Sequence, residues 1–203
     1  HDYLPLGFDH RHGEPSRPWN SFAIRVRDED SRDVFQYEGN WRDIFQNWEA
    51  SALAYPGFLE HMVAKFVNAT TLDGHNPYRI SRAGVEWEVP APEDPWAGIG
   101  YWGDHQIVYL LHLLESTERF WPGRLDGLLH GRVFSSADVP YRIVTYAQMR
   151  HDPRNTIRFL PAADAAIRAR EQSEGSDARL VRDRDGRVRH VTLGEKLLLT
   201  AAV

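Results

Sequence analysis

Two apolar stripes with helical spacing, separated by one Pro-Gly break, constrain the fold of this chain more than any other feature. The first stripe follows positions i, i+3, i+4, i+7 and i+11 and consists of Trp41, Ile44, Phe45, Trp48 and Ala52. The second starts directly after Pro56 and Gly57, has a period of 3.6 residues, and consists of Phe58, Leu59, Met62, Val63, Phe66 and Val67. Because so short a link forces a sharp reversal, the two segments are predicted to form an antiparallel αα-hairpin.

The rest of the chain also has mostly helical patterning. Further helices are predicted at about 103–115, 125–129, 140–152, 162–171 and 193–203. The helix at 103–115 is apolar all round at its centre and is therefore predicted to be a buried inner helix. A short strand at 21–27 and a β-hairpin at 180–191, around Asp185 and Gly186, complete the pattern.

The predicted fold is mainly α, built from antiparallel αα-hairpins in one domain over 1–203. An extended segment covers 1–38, helical hairpins cover 39–160, and a helix, the β-hairpin and a truncated helix cover 161–203. The connection at 70–97 is long and rich in Pro and Gly. Connections of this length within a compact domain are uncommon and often functional.

Composition excludes several classes of function. The net charge of −5 argues against a nucleic-acid binder or a polybasic membrane anchor, and no run approaches the ~18 apolar residues of a membrane span. The absence of cysteine excludes disulfides, thiolate zinc sites and a cysteine nucleophile. His10 and His12 lack a third ligand at suitable spacing. We therefore expect a cytoplasmic protein without a metal or a cofactor.

Polar side chains crowd the start and one face of the first predicted helix, beside Trp41 and Trp48. Short directional donors and acceptors next to an aromatic wall suit a polyol, since sugar C–H groups pack on aromatic faces. The alternative is a capped, salt-bridged helix start whose tryptophans belong to the core. The candidate substrate-binding residues here are Trp41, Arg42, Asp43, Gln46 and Asn47, with Glu49 on the same face.

A second candidate segment precedes the predicted inner helix. Three glycines within 98–103 allow the backbone to approach a ligand. Asp104 then lies at a helix N-terminus, where the helix dipole keeps it ionised, and it is the candidate catalytic residue, as a base or a hydroxyl ligand. A simple N-cap is the alternative. Trp102 and His105 are candidate substrate-binding residues, with a structural histidine as the alternative for His105.

The long connection supplies further candidates. Glu86 and Glu88 are two residues apart, so they share a face in an extended segment, and paired carboxylates suit glycoside chemistry. Arg79, Trp87 and Glu88 are candidate substrate-binding residues in a predicted lid or site wall. A solvated loop is the alternative. Arg42, Arg79 and Arg142 are also candidates for anion binding.

Two of these segments resemble a known family. GNWRDIFQN (39–47) resembles the Gly-aromatic-Arg-Asp-Gln-x-Gln-Asp helix of cellobiose- and chitobiose-phosphorylase-type enzymes, and GYWGDHQIVYLL (100–111) is similar to their Arg-x-Ser-Asp-Asp-Leu-Leu-Trp-Leu helix start. The chain thus resembles the six-hairpin (α/α)6-barrel glycosidase superfamily, in particular large bacterial proteins known only as hypothetical or cellobiose-phosphorylase-like. The motifs match over 39–49 and 98–115. Ile44 and Phe45 depart from the usual polar pattern.

The resemblance implies a fold, a reaction and residue roles. The helices would form part of an (α/α)6 toroid that acts on a glycosidic bond of an oligosaccharide, as an inverting glycoside hydrolase or phosphorylase. Inorganic phosphate would be the co-substrate in the second case. Arg42 and Asp43 would lie in sugar-binding subsites. Asp104 would match one member of an aspartate pair, whose second member is replaced by His105.

The length of the chain limits this interpretation. A ring of six hairpins needs twelve helices, whereas about seven are predicted here, and the Trp-Asn-Asp-like motif that carries the family's catalytic acid is absent. We therefore expect roughly half of a barrel whose acid comes from the remainder of the barrel or of a larger chain. The alternative is a self-contained, non-catalytic helical domain that binds sugars or another protein.

Overall fold

The computed structural model of the protein describes residues 25–27, 30–36, 38–77, 79–81, 84–86, 106–153, 155 and 157–201. Within these residues the chain is mainly helical, which confirms the predicted fold class at that level. The helices are α1 (Trp41–Ala54), α2 (Leu59–Ala69), α3 (Gln106–Phe120), α4 (Arg124–His130), α5 (Tyr146–His151), α6 (Pro161–Glu174) and α7 (Leu193–Ala201). The strands are β1 (Arg25–Arg27), β2 (Asp33–Gln36), β3 (Glu38–Asn40), β4 (Arg79–Ser81), β5 (Gly84–Glu86), β6 (Tyr141–Ile143) and β7 (Ile157–Phe159).

Helices α1 and α2 form the predicted antiparallel hairpin. A single 3-10 turn (Pro56–Phe58) joins them. The ring of Trp41, at the start of α1, lies 5.9 Å from the ring of Phe66 in the last turn of α2, and Phe45 lies 4.9 Å from Phe66. All three side chains are buried. Burial of each such side chain stabilises the fold by roughly 1.5–3 kcal/mol, so this aromatic cluster is the centre of the core.

Helix α3 runs parallel to α1. Arg124 lies four residues beyond the end of α3 and donates two hydrogen bonds, of 2.5 and 2.9 Å, to the carboxylate of Glu60 in the first turn of α2. The end of α3 therefore lies beside the start of α2, and α3 is antiparallel to α2. Helices α1, α2 and α3 thus form one layer. At one end of this layer lie the N-terminal ends of α1 and α3 and the C-terminal end of α2, and we call it the upper end of the layer.

The prediction that the third helix is buried all round is wrong for one face. Leu110, Leu113 and Leu114 are buried against α1 and α2, but Val108 and Leu111 are 43% and 51% exposed. Helices α1 and α2 cover only one side of α3, and a uniformly apolar sequence cannot indicate which side that is. The described helix begins at Gln106. Residues 103–105, the predicted start, lie outside the described residues.

The long connection at 70–97 contains two strands. Strands β3, β4 and β5 form an antiparallel sheet in which Asn40 is opposite Arg79 and Arg79 is opposite Glu86. Strand β3 leads directly into α1, so this sheet lies at the upper end of the layer. Sequence patterning missed β4 and β5 because each has only three residues and because β4 also pairs with β3, a distant segment.

The segment after Pro140 also differs from the prediction. A helix was predicted from Pro140 to about residue 152, but β6 occupies the first part and pairs with β7. The helix is limited to α5, which Thr145 and Gln148 begin with a reciprocal capping box. The β-hairpin predicted at 180–191 is present as a tight turn at 183–186, with Gly186 at a φ of 77°, and a single bridge between Arg182 and Val188.

Candidate functional site

The first turn of α1 places two of the predicted site residues side by side. Arg42 Nε donates to Asp43 Oδ1 at 2.9 Å, and the two side chains are 29% and 22% exposed. A carboxylate in the first turn is stabilised by the positive end of the helix dipole. The pair therefore offers both hydrogen-bond donors and acceptors to a ligand at the upper end of the layer.

Gln46 and Asn47 continue this polar face by one turn. They follow Arg42 and Asp43 by four residues each, so they lie next to them on the helix surface. Gln46 is exposed and Asn47 is partly exposed. Four donor or acceptor side chains in the first two turns of α1 are thus accessible, as the sequence predicts for this face.

A carboxylate–imidazole pair joins α1 to α3 below these residues. Glu49 Oε2 lies 2.9 Å from His112 Nδ1, and both side chains are partly exposed. The ring of Tyr109 packs edge-on at 6.3 Å from the His112 ring. Sequence reasoning placed Glu49 on the polar face but missed His112. The available signal was spacing, since His112 follows His105 by seven residues, or two helical turns.

The sheet at the upper end brings a third predicted segment to α1. Because Arg79 is opposite Asn40, its backbone lies beside the residue that precedes Trp41, two positions before Arg42. Glu86 is opposite Arg79 on the next strand. Trp87 and Glu88 follow Glu86 in the chain but lie outside the described residues. The structure therefore brings Arg42, Asp43 and the backbone of Arg79 to one end of the layer.

Trp41 does not have the role expected for it as a stacking surface. Its side chain is fully buried, and its ring packs against Phe45 at 4.7 Å and Phe66 at 5.9 Å. Its Nε1 has no hydrogen-bond partner among the described residues. The faces of this indole are occupied by the core, so the alternative interpretation, a core tryptophan at a helix start, holds for Trp41.

The predicted catalytic segment lies outside the described residues. This applies to Trp102, Asp104 and His105, whose roles remain predictions. His105 immediately precedes Gln106, the first residue of α3. Since the N-terminal end of α3 lies at the upper end of the layer, the chain enters α3 at the same end as Arg42 and Asp43.

A buried polar cluster connects α7 to the end of α2. Lys196 is fully buried, and its Nζ donates to the backbone oxygen of Thr70 at 2.8 Å and to Ser136 Oγ at 2.9 Å. Desolvation lowers the pKa of Lys196 to about 7. A serine beside a neutral lysine is a nucleophile arrangement in some enzymes. Here Ser136 is only 1% exposed, so the cluster serves to hold three segments together.

The loop after α2 is packed rather than solvated. His75 and Asn76 are buried, and Asn76 Oδ1 accepts a hydrogen bond from Thr70 Oγ1 at 2.8 Å. Burial lowers the pKa of His75, and the nearby charge of Asp73 opposes this effect. The first half of the predicted lid is therefore part of the fixed framework of the upper end.

A cleft of about 380 Å³ opens beyond the C-terminal end of α2. Its lining includes Asp73, Asp138, Arg142, Arg170 and Arg182. Of these, the sequence indicated only Arg142 as an anion-binding candidate. The others come from four separate segments, so only the fold brings them together.

Within the described residues, no group of three or more His, Asp or Glu side chains is placed to hold a metal ion. None of the helices in the described part of the chain is long and apolar enough to cross a membrane. No family model matches the chain, and no curated protein matches it either.

Proposed function

We propose that the upper end of the layer binds an oligosaccharide and that the chain acts on a glycosidic bond, as part of an (α/α)6-barrel catalytic domain. One observation carries the proposal. Arg42 and Asp43 on α1, the strand that holds Arg79, and the start of α3 meet at one end, although they come from three segments of the chain. The same three segments were selected from the sequence for their polar and aromatic content.

The helix directions support this proposal. Helices α1 and α3 are parallel, and α2 is antiparallel to both. Successive αα-hairpins in a ring require this arrangement. In such a ring the N-terminal ends of alternate helices lie at the same end. A ligand held there would contact residues from several hairpins at once.

The chemistry of this end suits a neutral polyol. The guanidinium of Arg42 would donate hydrogen bonds to sugar oxygens, and the carboxylate of Asp43 would accept them from hydroxyl groups. Gln46 and Asn47 would each offer a donor and an acceptor. Glu49 and His112 would hold α1 and α3 at a fixed spacing beneath the sugar.

The proposed reaction breaks the bond between the anomeric carbon and the glycosidic oxygen. An acid outside this chain donates a proton to the leaving oxygen, and water or inorganic phosphate attacks the anomeric carbon from the opposite face. The products are a reducing sugar or a sugar 1-phosphate, together with the shortened oligosaccharide. Asp104 would bind hydroxyl groups or position the attacking group.

A non-catalytic role in binding another protein is the second candidate. It is favoured by the exposed apolar face of α3, where Val108 and Leu111 lie one turn apart. Exposed apolar faces of this kind are commonly covered by another protein surface. The remainder of a barrel would cover this face under the first proposal, and a separate protein under the second.

Oligosaccharide binding and turnover by matched variants test the proposal. Affinities are measured by calorimetry with a panel of α- and β-linked gluco-oligosaccharides, and turnover is followed with and without phosphate. We expect Arg42→Ala and Asp43→Asn each to weaken binding by about ten- to a hundredfold, because each removes hydrogen bonds to a charged group. The melting temperature should change little, since a part-exposed ion pair contributes under about 1 kcal/mol.

Arg168→Ala is the matched control. This arginine also pairs with a nearby aspartate, Asp164, at 2.8 Å, but it lies on the solvent side of α6 with its side chain 73% exposed. It should leave sugar affinity unchanged. The proposal would be overturned if Arg42→Ala and Arg168→Ala lost sugar affinity equally. It would also be overturned if the wild type bound no oligosaccharide. Saturable oligosaccharide binding without turnover would support the binding site, and it would favour a non-catalytic sugar-binding domain only where the acid from outside this chain is also present.

A further inference from the structure

The cleft beyond α2 contains three arginine side chains that are fixed in place by the backbone. Each guanidinium donates to at least one main-chain carbonyl oxygen, so its position depends on the fold rather than on a flexible stem. The acceptors are Val139 and Tyr141 for Arg142 (2.9 and 2.7 Å), Ala178 for Arg170 (3.3 and 3.0 Å) and Gly186 for Arg182 (2.6 Å). Groups held in this way lose little entropy when they bind a ligand.

Two of these guanidinium groups share one carboxylate of the cleft. Asp138 is the partner of two arginines, since it accepts from Arg170 Nη2 at 2.9 Å and lies 3.9 Å from Arg142 Nη2. Asp73 accepts instead from two neutral donors, Thr71 Oγ1 at 2.6 Å and the backbone N–H of Ile143 at 3.2 Å. One carboxylate thus serves two guanidinium groups.

Several N–H groups of these arginines make no hydrogen bond to the described residues. They include Nε of Arg142 and Nη1 of Arg170. Nε of Arg182 is buried and also has no partner there, although the other two nitrogens of its guanidinium bind Glu174 and the backbone of Gly186. The side chains of Arg142 and Arg170 are 47% and 32% exposed, so their unpaired N–H groups are the ones that a ligand acceptor can reach.

We propose that this cleft is a binding site for a small hydroxylated molecule that carries an oxyanion, either a phosphate ester or a carboxylate. The guanidinium groups of Arg142, Arg170 and Arg182 would bind the oxyanion, since their planar forks match its oxygens. The free lone pairs of Asp73 would accept hydrogen bonds from hydroxyl groups. A volume of about 380 Å³ lies within the usual range for small-molecule sites.

This site is separate from the proposed oligosaccharide site, although both lie at the upper end of the layer. The cleft starts at Thr71, just after the C-terminal end of α2, whereas the sugar-binding residues are on α1. The proposal does not depend on cleavage of a glycosidic bond. A binding measurement without turnover therefore tests it independently of the proposed function.

Isothermal calorimetry with four probes decides the ligand class. The probes are glucose 6-phosphate, glucuronate, inorganic phosphate and, as the uncharged control, glucose. We expect glucose 6-phosphate or glucuronate to bind at least about tenfold more tightly than glucose at low salt, and added NaCl to weaken binding. Tighter binding of glucose 6-phosphate would identify a phosphate ester, and tighter binding of glucuronate would identify a carboxylate. Equal affinity for glucose, or no binding of either anion at millimolar concentration, would overturn the proposal.

Arginine variants locate the site. Arg142→Gln and Arg182→Gln should each weaken binding of the anion by about tenfold or more, whereas Arg168→Gln should leave the affinity unchanged. Arg168 is a suitable control because it lies on α6, two residues before Arg170, with an exposed side chain. Circular dichroism checks the folding of each variant. If Arg142→Gln fails to fold, Arg182→Gln and the wild-type comparison of anion with glucose still decide the outcome. Unchanged anion affinity in the folded variants would contradict the proposal.

Discussion

A change in stability across neutral and alkaline pH would reveal the buried amine of Lys196. Desolvation lowers its pKa from the ordinary value of 10.5 to about 7. Between these pH values the folded protein binds fewer protons than the unfolded chain. The free energy of unfolding contributed by this group therefore rises with pH from about 7 to 10.5. Below about pH 7 the amine is protonated in both states and contributes no slope.

The expected size of this effect follows from the pKa shift. A decrease of the pKa from 10.5 to about 7 corresponds to a change of roughly 5 kcal/mol in the free energy of unfolding. The slope is at most about 1.4 kcal/mol per pH unit. Equilibrium urea unfolding, followed by circular dichroism from about pH 6 to 9.5, measures this slope. Most of the rise should occur above about pH 7.

Two lysine variants isolate the responsible group. Lys196→Met removes the titrating amine, so the alkaline slope should disappear, while the oxygens of Thr70 and Ser136 lose a donor at a cost of about 1–3 kcal/mol. Lys65→Met is the matched control, because Lys65 is exposed and is the only other lysine of the chain. It should keep the wild-type slope. The same slope in the wild type and Lys196→Met, or stability that falls from pH 7 to 9, would refute the reasoning.

Three further predictions concern stability. Burial lowers the pKa of His75, so the free energy of unfolding should decrease as the pH falls below about 6.5. In urea titrations, His75→Gln should lose less stability than the wild type over that range. Equal losses in the two proteins would contradict burial as the cause. Phe45→Ala should cost about 3–5 kcal/mol in urea unfolding, since this ring contacts Trp41 and Phe66, and a cost below 1 kcal/mol would argue against the packed cluster. Arg124→Ala should leave the free energy of unfolding nearly unchanged in the same assay, because water screens this half-exposed ion pair. A clear loss of stability would show that the ion pair with Glu60 fixes α3.

The helices were predictable where a one-sided apolar stripe ends at a clear break. Helices α1 and α2 meet this condition, because Pro56 and Gly57 separate two stripes of constant period. Strands β4 to β7 were not predictable, since three residues are too few to show an alternating pattern and β4 also pairs with the distant β3. Pro140 was misleading because proline starts both helices and strands. The Thr145–Gln148 capping box was the better indication of where α5 begins.

The candidate site was predictable only residue by residue. Patterning selected Arg42, Asp43 and Arg79, but the sheet register that places Arg79 beside the start of α1 is a tertiary feature. The same patterning suggested a sugar-facing Trp41, because an apolar stripe and an aromatic binding wall have the same sequence signature. Lys196 carried an unused signal, since it is one of two lysines and stands within an apolar run.

The arginine cleft illustrates a different limit. Its charged residues are spread from Asp73 to Arg182, and 22 arginines in the chain gave no reason to choose three of them. Arg142, Arg170 and Arg182 combine a place in the lining of the cleft with a guanidinium that a backbone carbonyl fixes. These contacts depend on the segments after α4 and α6, which have no periodic pattern.

The most direct test of the central claim is a map of backbone protection on oligosaccharide binding. Amide hydrogen exchange is measured by mass spectrometry with and without a saturating oligosaccharide identified in the binding panel. The account predicts added protection at the start of α1, around residues 41–47, and at β4, with none on the exposed face of α6. Protection confined to α6, or no change at the start of α1 under saturation, would contradict an oligosaccharide site at the upper end.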